Sequence, residues 1–495
     1  EPLAHLFSYP AFCYALSSCP PSTEAMLKRG LQACLDGSYA FVGGRFSASR
    51  HAVIDAGIAG GVPFSVVIDD AAVLSALERG GRTVQEEDIV GVAADLRSPA
   101  GCWRGKEPLL TVVLHRFTGR DDAVLAVSRA HSILDGISYC SFMDTWAREV
   151  RGEAAASGTI DAPQSERRAG VRSRPWGHSY LRRLRRAEAL RAEDTAFCSA
   201  LRDQCAGLSC RLRVEFSSVE LEALRRAATP PGATALVTTQ VALTAHALLT
   251  LLTLRSFGQT PRAESRVRVG VLIDARRFLP RADAFGNWYF CAYVCWSLDH
   301  GRDATGGPRQ QLVEAAAALA RGLEAVDGRF ALHALSHATS LHAPPAAVRR
   351  VCGALQLDAV EQSVAQRDAE RALSVRTLGG GISIGHEWMS PSQLASVGVG
   401  FDMEMNLAAA ELPRFGPRGI DQGEGEGVPA AMQTSACLTT RPAWLRQIMC
   451  LPRAGGGVVL CIPHSLFDHQ AHQTAQLRAK LCDVQTYSLA HAAAL

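Results

Sequence analysis

Apolar and polar positions along the chain switch between two periods, and the switches predict its elements. Val124, Ala126 and Ser128 alternate with Leu125, Val127 and Arg129, a period of two that predicts a strand over residues 123–130. Tyr139, Phe142, Met143, Trp146 and Val150 then recur at i, i+3, i+4, i+7 and i+11, which is one apolar helical stripe, and Arg151-Gly152 brings it to a stop. Between these two lies a tight turn made possible by Gly136.

The same reading extends in both directions. Residues 22–35 predict a helix with Ser22 and Glu24 suited to its first turn, 52–56 and 63–68 short strands around a Gly-rich turn, and 71–78 a further helix. Residues 109–117 form a strand whose partner is 123–130 across Gly119-Arg120-Asp121-Asp122. From 152 to 173 periodicity disappears and Ala, Gly, Ser, Pro and Arg mark a linker. After it, 212–216 read as a strand and Ser217-Ser218-Val219-Glu220 as a cap before a helix over 221–228. A long apolar helix covers 235–254, strands 267–273, 289–296 and 457–462, and helices 310–323, 346–354 and 470–481. No repeat of solenoid period is present. The order implies a mixed α/β fold.

At 495 residues the chain exceeds one ordinary core, so two domains of about 200 residues each are expected. The formal net charge of +3 implies neither nucleic acid nor an anionic membrane as a partner. The apolar run 242–254 falls short of a spanning segment and no membrane insertion is expected. The chain begins at Glu1, and its first residues lack a basic flank followed by an apolar signal core, which favours a cytoplasmic location. The 15 cysteines include no C-x-x-C pair and no spacing suited to zinc, so no metal is expected. Cys291 and Cys295 share one face of a strand-like run, and the cysteines read as buried free thiols of a reducing compartment. Eight arginines between Arg167 and Arg186 make the linker strongly basic, either a solvated flank or a surface for an anionic ligand such as a nucleotide-bearing acyl donor.

Chemistry concentrates in His131-Ser132-Ile133-Leu134-Asp135-Gly136. A neutral imidazole at a strand's end accepts a proton from an attacking alcohol, amine or thiol, because its ordinary pKa near ~6.5 leaves it mostly unprotonated at pH 7. Asp135 is a second catalytic candidate, although a carboxylate beside Gly in a turn more often fixes local geometry. The bare spacing is weakly specific, since His464-Ser465-Leu466-Phe467-Asp468 repeats it without the glycine. No G-x-S-x-G elbow, P-loop or H-E-x-x-H is present.

Four ordered features resemble the BAHD acyl-CoA-dependent acyltransferases. They are the His131 to Gly136 turn followed by Phe142, Trp146-Ala147 and Arg151-Gly152; the helix over 238–252; Ile273-Asp274-Ala275-Arg276-Arg277-Phe278-Leu279-Pro280 followed by Phe285-Gly286-Asn287; and Gly455-Gly456-Gly457-Val458-Val459-Leu460. The resemblance implies an α/β fold of two related mixed-sheet domains, chloramphenicol acetyltransferase-like, with a channel between them. Their boundaries would be 1–165, a basic crossover loop over 166–208, and 209–495. It implies a monomer using acyl-CoA as co-substrate with no tightly bound cofactor, and a small-molecule acceptor. His131 would be the general base. Asp135 would pair with Arg276, with Gly136 and Asn287 structural at the site and Trp388, in Gly385-His386-Glu387-Trp388, lining the acceptor side. The family's D-F-G-W-G signature is eroded to Arg414-Phe415-Gly416-Pro417-Arg418. A condensation-type transferase using a carrier-tethered donor, or a non-catalytic binding relative, are the alternatives; Ala130 stands where the former carries a second histidine.

Overall fold

A computed structural model describes residues 11–46, 54–55, 61–69, 83–84, 105–130, 133–153, 211–253, 266–278, 289–297, 307–328, 374–377, 383–386, 400–405, 408, 412–416, 432–439, 447–463, 466 and 471–487. In chain order the described elements are strand β1 (Ala11–Ser17), helix α1 (Thr23–Asp36), β2 (Arg45–Phe46), β3 (Ile54–Asp55), β4 (Phe64–Asp69), β5 (Thr83–Val84), β6 (Leu110–Phe117), β7 (Ala123–Arg129) and α2 (Gly136–Val150). There follow β8 (Arg211–Phe216), α3 (Ser218–Ala228), α4 (Thr239–Thr253), β9 (Arg266–Asp274), β10 (Tyr289–Ser297), α5 (Pro308–Glu324), β11 (Ser374–Thr377), β12 (Ser383–His386), β13 (Gly400–Glu404), β14 (Gln433–Thr439), β15 (Gln447–Pro452), β16 (Val458–Pro463) and α6 (Ala471–Cys482).

Two mixed sheets organise these elements. The first has the order β14-β1-β7-β6-β4, antiparallel except for the parallel pair β4 and β6. The second has the order β11-β12-β10-β9-β13-β15-β16-β8-β5, with β13 parallel to both neighbours. Strand β14 comes from late in the chain and completes the first sheet, while β5 comes from early in the chain and pairs with β8 in the second. The strands expected at 52–56 and 63–68 exist but do not belong together: β3 pairs with β2, whereas β4 joins β6. The 119–122 turn does join β6 to β7, with Gly119 at φ +73°.

Each sheet carries a core. Helices α1 and α2 pack on the first sheet, where Trp146 is fully buried and its indole N–H donates to the Leu27 carbonyl at 2.9 Å. The helices approach closely at Gly30, where a side-chain carbon would meet the Val150 backbone. Helices α3, α4 and α5 cover the second sheet through Leu224, Leu248 and Leu319. Strands β15 and β16 serve both cores: Met449, Leu451, Val459 and Cys461 face the first, and Ile448, Cys450, Leu460 and Ile462 face the second. Buried on both faces, they read as continuous apolar runs and not as alternating ones.

The structure also tests the cysteine reading. Seven described cysteines are free; Cys13, Cys19, Cys34, Cys450 and Cys461 are buried and Cys140 partly so, but Cys482 on the last helix is exposed. The side chains of Cys291 and Cys295 lie outside the described residues, as do the helices expected at 71–78 and 346–354 and the basic crossover over 166–208. No described helix is long and apolar enough to cross a membrane.

Candidate active site

Strand β7 leads into the turn and α2 leads out of it. All seven residues of β7 are buried, which holds the strand end rigidly between β1 and β6. Asp135 is the N-cap of α2: its backbone is extended, and its Oδ1 accepts the Ser138 backbone N–H at 2.8 Å, satisfying a donor that the first helical turn leaves open. A negative charge there also suits the positive end of the helix. The positions between, His131 and Ser132, lie outside the described residues.

From the other sheet, β9 ends at Asp274 and passes into a short 3-10 turn, Ala275–Phe278, that delivers Arg276 to the same point. Its Nη1 lies 2.9 Å from Asp135 Oδ2, and its Nη2 donates to Asp135 Oδ1 at 3.1 Å and to Ser138 Oγ at 2.8 Å. Asp274 Oδ1 receives the Arg276 backbone N–H at 3.1 Å and Nη1 at 2.9 Å. Asp135 and Arg276 are 3% and 4% exposed, so this bidentate pair is an interior bond between the two sheets and not a surface ion pair. The Asp135 to Arg276 pairing expected from the sequence is thus present. Ser138 and Asp274 complete it; the sequence reading gave neither a role, although the two-residue spacing of Asp274 and Arg276 was its visible signal.

A small cavity beside the pair draws its walls from both sides, Gly136 and Ile137 from α2 and Asp274, Tyr289 and Glu404 from the second sheet. Glu404, 3% exposed, accepts a hydrogen bond from the Gln447 side chain at 2.9 Å. Cys140, one turn into α2, has its thiol pushed up to about 12, chiefly by burial, so it is protonated at neutral pH and is no nucleophile. Among the described residues no group of His, Cys, Asp and Glu could hold a metal ion.

The eroded signature falls behind this site. Phe415 is fully buried with its ring edge-on to Trp146, centroids 5.6 Å apart, and the Arg151 side chain donates to the Arg414 carbonyl. The described residues of the segment, Arg414 to Gly416, therefore pack against the far end of α2. Asn287 and Trp388 lie outside the described residues, as does the second H-x-x-x-D pair, His464 and Asp468.

No protein-family model matches the chain, and no curated protein matches it. Solved structures do. TRI101 of F. sporotrichioides complexed with coenzyme A and T-2 superposes with a TM-score of 0.51 at 13% identity, covering 93% of this chain and 93% of that one. TRI101 of F. graminearum complexed with coenzyme A and deoxynivalenol gives 0.53 at 12% identity over 92% and 91%. Vinorine synthase gives 0.52 at 13% identity over 97% and 91%. The chain has the two-sheet fold of these proteins along almost its whole length, which is the fold class expected from the sequence.

Proposed function

We propose that the chain is an acyltransferase of the BAHD type, moving an acyl group from acyl-CoA to a hydroxyl or amine of a small-molecule acceptor. The observation that carries this reading is the buried pair of Asp135 and Arg276, which fastens Asp135-Gly136 of the H-x-x-x-D-G motif and the first turn of α2 to the second sheet. Its setting agrees, since the fold is shared with TRI101 structures that hold coenzyme A together with T-2 or deoxynivalenol. Arg276 and Asp135 then act as structural anchors, and the acceptor and donor meet at His131 from opposite sides of a channel between the two sheets.

In this mechanism the His131 imidazole takes the proton from the acceptor as its oxygen or nitrogen attacks the thioester carbonyl. The C–S bond then breaks and the proton passes to the departing CoA sulfur, so the histidine ends as it began. Attack is direct, without an acyl-enzyme, and needs no metal-bound water. Asn287 supports the turn after β9, and Trp388 lines the acceptor side.

Calorimetric binding of CoA and of short, long and aromatic acyl-CoAs, to wild type and to His131→Ala, tests the reading without thiol-reactive assays. Wild type is expected to bind with micromolar affinity that depends on the acyl group, and His131→Ala to bind equally while losing roughly 10²–10⁴ in transfer rate. Failure of every acyl-CoA to bind wild type would sink it.

A further inference from the structure

Arg129, the last residue of β7, is 0% exposed. A guanidinium keeps its proton in a protein, so a permanent charge has been carried out of water at the strand end that feeds the histidine turn. Its flat face is accommodated by aromatic rings. The Arg129 Cζ lies 4.2 Å from the Tyr139 ring centroid and 4.9 Å from that of Phe12. Those rings stack on each other at 4.6 Å, and the Tyr14 hydroxyl donates to the Tyr139 hydroxyl at 3.1 Å.

The polar edge has a definite target. Arg129 Nε donates to the Leu134 carbonyl at 3.2 Å, a bond that reaches over the segment between the strand end and the helix cap. Within that span the Ile133 N–H donates to the Ala130 carbonyl at 3.2 Å, and the Ala130 N–H donates to the Leu109 carbonyl of the neighbouring strand at 2.8 Å. Leucine or methionine could pack against the same rings without the desolvation cost of a charge, but neither could donate to Leu134.

We infer that Arg129 is a positioning residue for the proposed transfer: it braces the strand side of the turn that carries His131, as Arg276 braces the helix side through Asp135. The inference rests on the acyltransferase reading for its kinetic consequence but not for its structural one. Position 131 is bracketed by two arginines that belong to different parts of the fold, and slack at either end displaces the imidazole. Displacement of about 1 Å costs on the order of 10²-fold in rate.

The test compares wild type, Arg129→Met and Arg129→Lys in steady-state transfer, thermal melting and amide hydrogen exchange. Arg129→Met keeps the stem against the rings and loses the donor; its kcat is expected to fall about 10–100-fold with both KM values within about twofold. Arg129→Lys, which restores a cation and a donor, is expected to recover part of that loss. Exchange in the peptide covering 130–135 is expected to quicken in Arg129→Met while the rest of β7 stays protected. Unchanged kcat and unchanged exchange in that peptide would overturn the inference, as would a lower melting temperature with full kcat per folded molecule. If wild type transfers nothing, the acyltransferase reading fails and the exchange result alone decides the brace. Should Arg129→Met not fold, exchange in the wild type decides: the peptide covering 130–135 protected like the rest of β7 supports the brace, and exchange there as fast as in an exposed loop overturns it.

Discussion

Asp135 spends its lone pairs on the fold. Oδ1 accepts from the Ser138 backbone and from Arg276, and Oδ2 faces the same guanidinium. A carboxylate so engaged and 3% exposed has little left with which to relay a proton, and as the helix cap it is turned into the first turn of α2. Removing Arg276 leaves Asp135 a buried, uncompensated charge, which costs about 3–5 kcal/mol, whereas removing the Asp135 charge leaves Arg276 still paired with Asp274 and costs less. Arg276→Met and Asp135→Asn are therefore expected to lower the urea midpoint and the transfer rate together. An Asp135→Asn protein that melts like wild type and is inactive would instead assign Asp135 a direct part in the reaction.

Among the described elements, the β15 to β16 hairpin is constrained on three sides, because its strands wall both cores and its turn touches a third strand. Gly457 has φ +106°, and a side-chain carbon there would run into the carbonyl oxygen of Phe216, whose strand pairs with Val458. Gly457→Ala is expected to cost clearly more than the ~1–3 kcal/mol of backbone strain alone. Gly119→Ala, also at positive φ but facing open space, should cost only the strain; equal urea midpoints for the two would refute the close-approach argument. Such features divide what was legible in the sequence from what was not. The start of α3 was legible because its signal is local: Ser217 and Glu220 form the reciprocal capping box that their spacing announces. Helix α4 was expected from residue 235 but begins at Thr239, since the apolar run alone marks no boundary; Thr238 sets it by accepting the Val241 N–H. The parallel pairing of β4 with β6 and the recruitment of β14 by the first sheet had no local signal, because pairing partners far apart in sequence are chosen by the fold as a whole. At the site, Asp135 and Arg276 were legible as motif members, whereas Ser138 enters only through the geometry that brings the two sheets together.

Across the whole molecule, His246 ties the middle of the chain to its end. It is 1% exposed in α4; the Leu481 carbonyl, 2.9 Å from Nε2, can only accept, so Nε2 carries the proton and Nδ1 accepts the Tyr487 hydroxyl at 3.0 Å. Burial favours the neutral ring by pushing the His246 pKa down, opposed by the Leu481 carbonyl and by Asp483. Below the ordinary value of 6.5 the unfolded chain takes up a proton that the folded chain refuses, so stability is fully present above that pH and is lost as the pH falls towards the depressed folded value. The Tyr487 hydroxyl, itself pushed up to about 12 by burial, stays protonated throughout and contributes no slope in this range. Wild type is therefore expected to lose stability as the pH falls from neutrality past the ordinary value of 6.5. His246→Phe keeps an aromatic ring between Phe216 and Tyr487 but strands the Leu481 carbonyl and the Tyr487 hydroxyl, so it should be less stable at pH 7 and lose less on acidification. Urea midpoints measured across that range for both proteins give the difference directly. Parallel slopes would show that the acid sensitivity of the fold arises elsewhere and that this histidine is only a packing residue; a flatter slope in the variant would place the closure of the C-terminal segment on α4 under the control of a single proton.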